Sequence, residues 1–136
     1  MRGHIWKIIC NVQDWRAHYS EDTYLKLLTT VNEEDDYYIM KDLERTISGY
    51  EGFKVDPKTG KNKLYNVLIS YSNLDREIGY CQGINYLASL LVLNFHDEED
   101  AYWCLVDLLM GKKHNWRGLF DENTSKLVEL LEIMEL

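Results

Sequence analysis

An all-α fold is what this sequence predicts, on three observations. Apolar residues recur at i, i+3, i+4 and i+7 in one segment after another, the signature of helices that bury one face. No segment sustains an alternation of period two, so strands are not expected. The composition, 46% apolar and 28% charged with a single proline, is that of a globular domain rather than a disordered or collagen-like chain. At 136 residues the chain fits one compact domain with a real core.

Tyr24, Leu27, Leu28 and Val31 mark the first helix, with Ser20 expected as N-cap and Glu21 and Asp22 in its first turn. A second helix is expected over residues 35–47, with Ile39, Leu43 and Ile47 on one stripe. Gly49, Gly52, Asp56-Pro57 and Gly60 then signal a loop. A third helix carries Leu64, Val67, Leu68 and Tyr71. In the next, Ile84, Leu87, Ala88 and Leu91 repeat the spacing, while Leu90, Val92 and Leu93 fill other faces; a central helix buried on most sides is expected. Asp97 is placed to cap a helix that buries Tyr102, Leu105, Val106 and Leu109 and ends at Gly111. A last helix presents Leu127, Leu130, Leu131 and Met134.

Several function classes are disfavoured by charge and spacing. A net charge of −8 argues against nucleic acid or an anionic membrane as principal partner, since both attract basic surfaces. Cys10, Cys81 and Cys104 form no C-x-x-C pattern and are odd in number, which points to a reducing cytoplasmic setting rather than a disulfide framework. His4, His18, His96 and His114 show no metal-ligand spacing, so no metal or other cofactor is expected. No apolar run is long enough to span a bilayer. Gly60-Lys61 lacks the remaining residues of a phosphate-cradling P-loop, and no Gly-x-Ser-x-Gly or catalytic triad can be argued. The four tryptophans are expected as core or groove aromatics.

Two short stretches hold the remaining chemistry. Residues 39–45 read I-x-x-D-x-x-R within a helical pattern, and Tyr80-Cys81-Gln82-Gly83 sets a glutamine in a glycine-ended turn before an apolar helix. Asp42 and Arg45, at i and i+3, share a helix face and can pair. Such a pair is ordinarily a surface salt bridge worth about 0–1 kcal/mol. In a functional setting, Asp42 would instead orient Arg45 toward another protein's phosphate, for which a permanently charged planar guanidinium is suited. Gln82 carries a donor and an acceptor on one rigid group, enough to hold an attacking water; its bland alternative is a turn residue. An arginine and a glutamine supplied together are what a GTPase with incomplete hydrolysis machinery lacks.

At these residues the sequence resembles the TBC domain of Rab GTPase-activating proteins. Residues 2–6, Arg-Gly-His-Ile-Trp, look like the family's opening R-G-x-x-W. Residues 39–45 and the Tyr80-Cys81-Gln82-Gly83-Ile84-Asn85 stretch look like its two finger motifs. Asp100-Ala101-Tyr102-Trp103 and Arg117-Gly118-Leu119-Phe120 follow in family order. The resemblance implies an all-helical activator of GTP hydrolysis by a GTP-bound Rab, acting in trans and regulating vesicle trafficking. Arg45 would be the arginine finger and Gln82 the glutamine finger. Asp42 would support Arg45, Tyr80 would position the turn, and Arg2 and Trp6 would be structural. Magnesium and GTP would come with the GTPase, and any association with vesicles would come through partners. The sequence departs from the family pattern at Ser48, where a proline is usual, and residues 1–136 are expected to be the N-terminal, finger-bearing part of the domain without its C-terminal helices. A non-catalytic TBC-like scaffold or Rab-binding module is the alternative.

Overall fold

Eight α-helices and two 3-10 turns make up the residues described by a computed structural model, 2–135, and none of those residues lies in a strand. In order they are α1 (Arg2–Ile9), α2 (Val12–His18), α3 (Thr23–Thr29), α4 (Glu33–Ser48), α5 (Pro57–Leu74), α6 (Ile84–Asn94), α7 (Glu98–Met110) and α8 (Ser125–Glu135). The 3-10 turns, Glu51–Lys54 and Trp116–Leu119, precede α5 and α8.

α5 and α7 form the centre. α5 packs against α3, α4, α6 and α7, and every residue of α7 from Asp100 to Leu109 is buried. The central position expected for α6 therefore belongs to these two helices. α6 buries Ile84, Ala88, Leu91 and Val92 but leaves Tyr86, Leu90 and Leu93 open, with Leu90 50% exposed. Those three residues repeat at i, i+4 and i+7, a second apolar stripe on the outward face.

Other expectations are corrected by local chemistry. α3 starts at Thr23, because the Ser20 hydroxyl bonds the Asp22 carboxylate rather than a backbone N–H, and it ends before Val31, which is exposed. Asn32 caps α4 by accepting the Asp35 N–H, so that helix begins earlier than residue 35. Gly60 lies inside α5 rather than in a loop. Asp56 accepts the Thr59 N–H, Pro57 takes the first helical position where its missing N–H is harmless, and the Phe53 ring fills the space beside Gly60 that a Cβ would need. The expected Asp97 cap is present, accepting from Glu99 N–H at 3.1 Å. α8 packs chiefly on the Trp116–Leu119 turn, and Leu127, Leu130, Leu131 and Met134 stay exposed.

A bidentate ion pair ties the C-terminal turn to α5. Arg117 donates from Nε and Nη2 to the two Asp75 carboxylate oxygens at 2.7 and 2.9 Å, and Nη2 also reaches Glu77. The Tyr71 hydroxyl adds a third bond to Asp75 at 3.0 Å. Burial pushes the Asp75 carboxyl up, but the Arg117 guanidinium and the Tyr71 hydroxyl outweigh it and hold the group below the usual carboxylate range. A depressed carboxylate stabilises the fold above its unfolded pKa and loses that contribution as pH falls through the folded value. Arg117→Ala is therefore expected to cost about 1–3 kcal/mol at neutral pH. In urea unfolding across an acid series, that cost should shrink as pH falls below about 4.

Candidate functional site

α4 is a long, acid-started helix. Ile39 and Leu43 anchor it to the core, and the opposite face carries Tyr38, Lys41 and Arg45, spaced i, i+3 and i+7. Asp42 lies between the faces, buried although charged. Its two carboxylate oxygens take different partners. Oδ1 accepts from Arg45 Nη2 at 2.5 Å, and Oδ2 accepts the Tyr80 hydroxyl at 2.9 Å. Arg45 remains 58% exposed along its side chain, so the pair holds the guanidinium without hiding it. Burial and the Asp42 bond push the Tyr80 hydroxyl well above the ordinary phenol range, which keeps it a donor at any working pH.

A second tie joins α4 to the same turn. Thr46 Oγ1 donates to the Asp42 carbonyl at 2.7 Å, and Asn85 Nδ2 donates to Thr46 Oγ1 at 2.7 Å. Asn85 Oδ1 in turn accepts the Gly83 N–H at 2.8 Å. Thr46 and Asn85 are fully buried, so this relay is shielded from competing water.

The turn itself needs its glycines. Gly79 adopts φ of 63° with the Asp35 carboxylate at its back, and Gly83 adopts φ of 111° against the Phe120 ring, where a Cβ would lie 3.1 Å from the ring edge. Phe120 is thus a backstop for the turn, and Arg117 anchors the segment that carries it. Gln82 is exposed at the apex, with no side-chain hydrogen bond among the described residues. Tyr38, Lys41, Asp42, Arg45, Tyr80, Cys81 and Gln82 together line an open cleft of about 420 Å³. The structure therefore brings Arg45, Asp42, Tyr80 and Gln82 to one place.

Over residues 1–136 the chain matches the family model described as the Rab-GTPase-TBC domain. The chain belongs to that family. It is 34% identical over 116 residues to growth hormone-regulated TBC protein 1 of Xenopus tropicalis, covering 82% of this chain and 33% of that protein. It is 31% identical over 126 residues to the ecotropic viral integration site 5 protein homolog of Homo sapiens, covering 93% of this chain and 15% of that protein. The chain thus spans a third or less of these relatives' length.

Within this TBC domain, Arg2 and Trp6 sit apart from the cleft, on α1, a helix with no buried residue. Close packing there comes from Gly3, whose Cα approaches the Asn94 carbonyl so closely that a Cβ would lie 2.6 Å from it. α4 continues through Ser48, whose hydroxyl donates to the Arg45 carbonyl at 2.9 Å, so the helix does not break after Arg45. Sequence reasoning assigned no role to Thr46, Asn85, Tyr38, Lys41 or the Arg117–Phe120 brace. Asn85 and the Arg117–Phe120 segment both stand inside family-like motifs, which is the signal the sequence offers for them. Thr46 could have been found only from its burial.

Asp42→Ala is expected to destabilise the fold by about 1–3 kcal/mol, because it strips the Tyr80 hydroxyl of its acceptor. Tyr80→Phe should cost less. In a double-mutant cycle by urea unfolding, the two substitutions should couple by about 0.5–3 kcal/mol; strictly additive costs would show that the bond contributes nothing.

Proposed function

We propose that this TBC domain accelerates GTP hydrolysis by a Rab-family GTPase, supplying Arg45 and Gln82 in trans. The observation that carries this reading is the single buried carboxylate of Asp42, bonded at once to Arg45 on α4 and to Tyr80 at the foot of the Gln82 turn. An arginine paired only for surface stability needs no such second partner.

The division of labour follows from side-chain chemistry. Arg45 spends one donor on Asp42 and keeps the rest of its fork for phosphoryl oxygens, where it neutralises charge building in the transition state. Gln82 orients the attacking water by its amide, in place of the GTPase's own glutamine. Asp42 and Tyr80 position these two groups and touch no reacting atom. Lys41, on the same helix face as Arg45, adds positive potential to the rim of an otherwise acidic protein and draws the nucleotide-bearing surface in. GTP and magnesium belong to the Rab, whose GTP-bound form is the substrate. Ending the lifetime of that form gives the domain a role in vesicle trafficking, with membrane location conferred by the Rab. Among the described residues no helix is long and apolar enough to cross a membrane.

Single-turnover hydrolysis across a Rab panel, with the full-length protein, tests this. Stimulation of one or a few Rabs is expected, with Arg45→Ala reducing it by about 10³–10⁵, or roughly 4–7 kcal/mol of barrier. Arg45→Lys should fail nearly as badly, since an ammonium lacks the planar fork. Gln82→Ala should also abolish stimulation. Undiminished stimulation by both alanine variants would overturn the finger assignment, and a folded protein that binds Rab without stimulating any of them is a scaffold instead.

A further inference from the structure

The turn between α1 and α2 and the loop after α7 come together at a second cluster of chemistry-bearing side chains. Gly111 N–H donates to the Asp107 carbonyl at 2.8 Å, and a Cβ on Gly111 would stand 2.4 Å from that same oxygen. Only glycine lets the chain double back so tightly. Asn115 N–H then donates to the Gly111 carbonyl at 2.8 Å, with Asn115 itself in the left-handed region at φ 49°. The loop is thereby folded over the end of α7, and His114 is set beside Asp107. Cys10, fully buried in the α1–α2 turn, completes the cluster. Ligand atoms of Cys10, Asp107 and His114 all lie within 4.8 Å of one another.

The Asp107 carboxylate is the informative member. The residue is 3% exposed, and its Oδ1 accepts the Trp15 indole N–H at 2.7 Å. That bond fixes the group with Oδ2 turned toward His114, yet among the described residues Oδ2 has no hydrogen-bond partner, and neither has His114 Nε2. The two atoms are 3.6 Å apart, too far for a hydrogen bond. Two ligands held at 2.0–2.1 Å on one tetrahedral ion stand about 3.4 Å apart. A buried oxygen and a buried ring nitrogen, both unsatisfied and at that separation, have the geometry of ligands more than of an ion pair.

We propose that Cys10, Asp107 and His114 form a binding site for a zinc-class divalent transition-metal ion. A thiolate, an imidazole and a carboxylate suit this borderline-soft ion, whereas magnesium and calcium prefer all-oxygen sets. Trp15 acts as the outer partner that orients the carboxylate ligand. Solvent entering past His114 fills the fourth position, and Cys10 is the one thiolate of the set. The His114 side chain, 18% exposed, is the point of entry. Once bound, the ion ties the α1–α2 turn to α7, beside the packing of α2 on α7 and the Arg16–Asp100 pair. Local spacing could not reveal this site, because its ligands come from opposite ends of the sequence.

The test is Co(II) and Zn(II) titration of the full-length protein under a non-chelating reductant. Co(II) is expected to saturate at one equivalent, with tetrahedral d–d bands and a thiolate charge-transfer band, and Zn(II) should displace it and raise the melting temperature. Cys10→Ser should remove the charge-transfer band. His114→Ala, at a partly exposed loop position, should keep the metal-free melting temperature and weaken binding by about 10- to 100-fold. A folded protein giving no Co(II) spectrum, a band that survives Cys10→Ser, or undiminished affinity in His114→Ala would each overturn the proposal.

Discussion

Asp42 bears on both halves of the cleft because its carboxylate has two oxygens and spends each on a different element. One oxygen holds a side chain of its own helix, and the other reaches a tyrosine 38 positions away in sequence. A long arginine side chain normally carries about 2 kcal/mol of rotamer entropy. Tethering it to a carboxylate that is itself fixed by burial settles part of that cost before any partner arrives. Positioned groups lower barriers mainly by avoiding such reorganisation at the moment of reaction. An exposed i, i+4 pair such as Asp22–Lys26 has the same chemistry but no fixed end, and contributes correspondingly little.

What keeps Asp42 in place is a chain of packing that runs back to the core. Ile39 and Leu43 seat α4, the Thr46–Asn85 relay joins it to the start of α6, and α6 rests on α5 and α7. The Gln82 turn is closed from the far side by Phe120, whose segment is held by Arg117 on Asp75. Residues late in the chain thus brace a turn that lies between α5 and α6. The positive φ at residue 83 suits glycine, which has no Cβ to clash, whereas any other residue would be strained there and tight against the ring.

The all-helical class and the α4, α5 and α7 cores were legible because their apolar stripes are long and regular. α1 and α2 were not, since α1 buries nothing and α2 buries only Val12, so neither carries a readable stripe. Gly60 was misread because a glycine after Asp-Pro signals a loop locally, while here the Phe53 ring requires it inside a helix. The apolar density of α6 was overread, since composition does not distinguish two inward faces from one inward and one outward. At the site, the Asp42–Arg45 pair follows from spacing alone, and side-chain chemistry suggests a link to Gln82 that the family resemblance then strengthens. Tyr80–Asp42 and Asn85–Thr46 join residues 38 and 39 positions apart, which periodicity cannot detect.

Binding energies to the same Rab in different nucleotide states test the central claim most directly. On the proposed reading, Arg45 and Gln82 complement the transition state rather than either ground state. The full-length protein should therefore bind GDP-loaded Rab with aluminium fluoride far more tightly than the GDP or GTP forms, and Asp42→Asn should erode that preference while ground-state binding persists. Equal affinity for all three states, or a preference untouched at Asp42, would contradict the account.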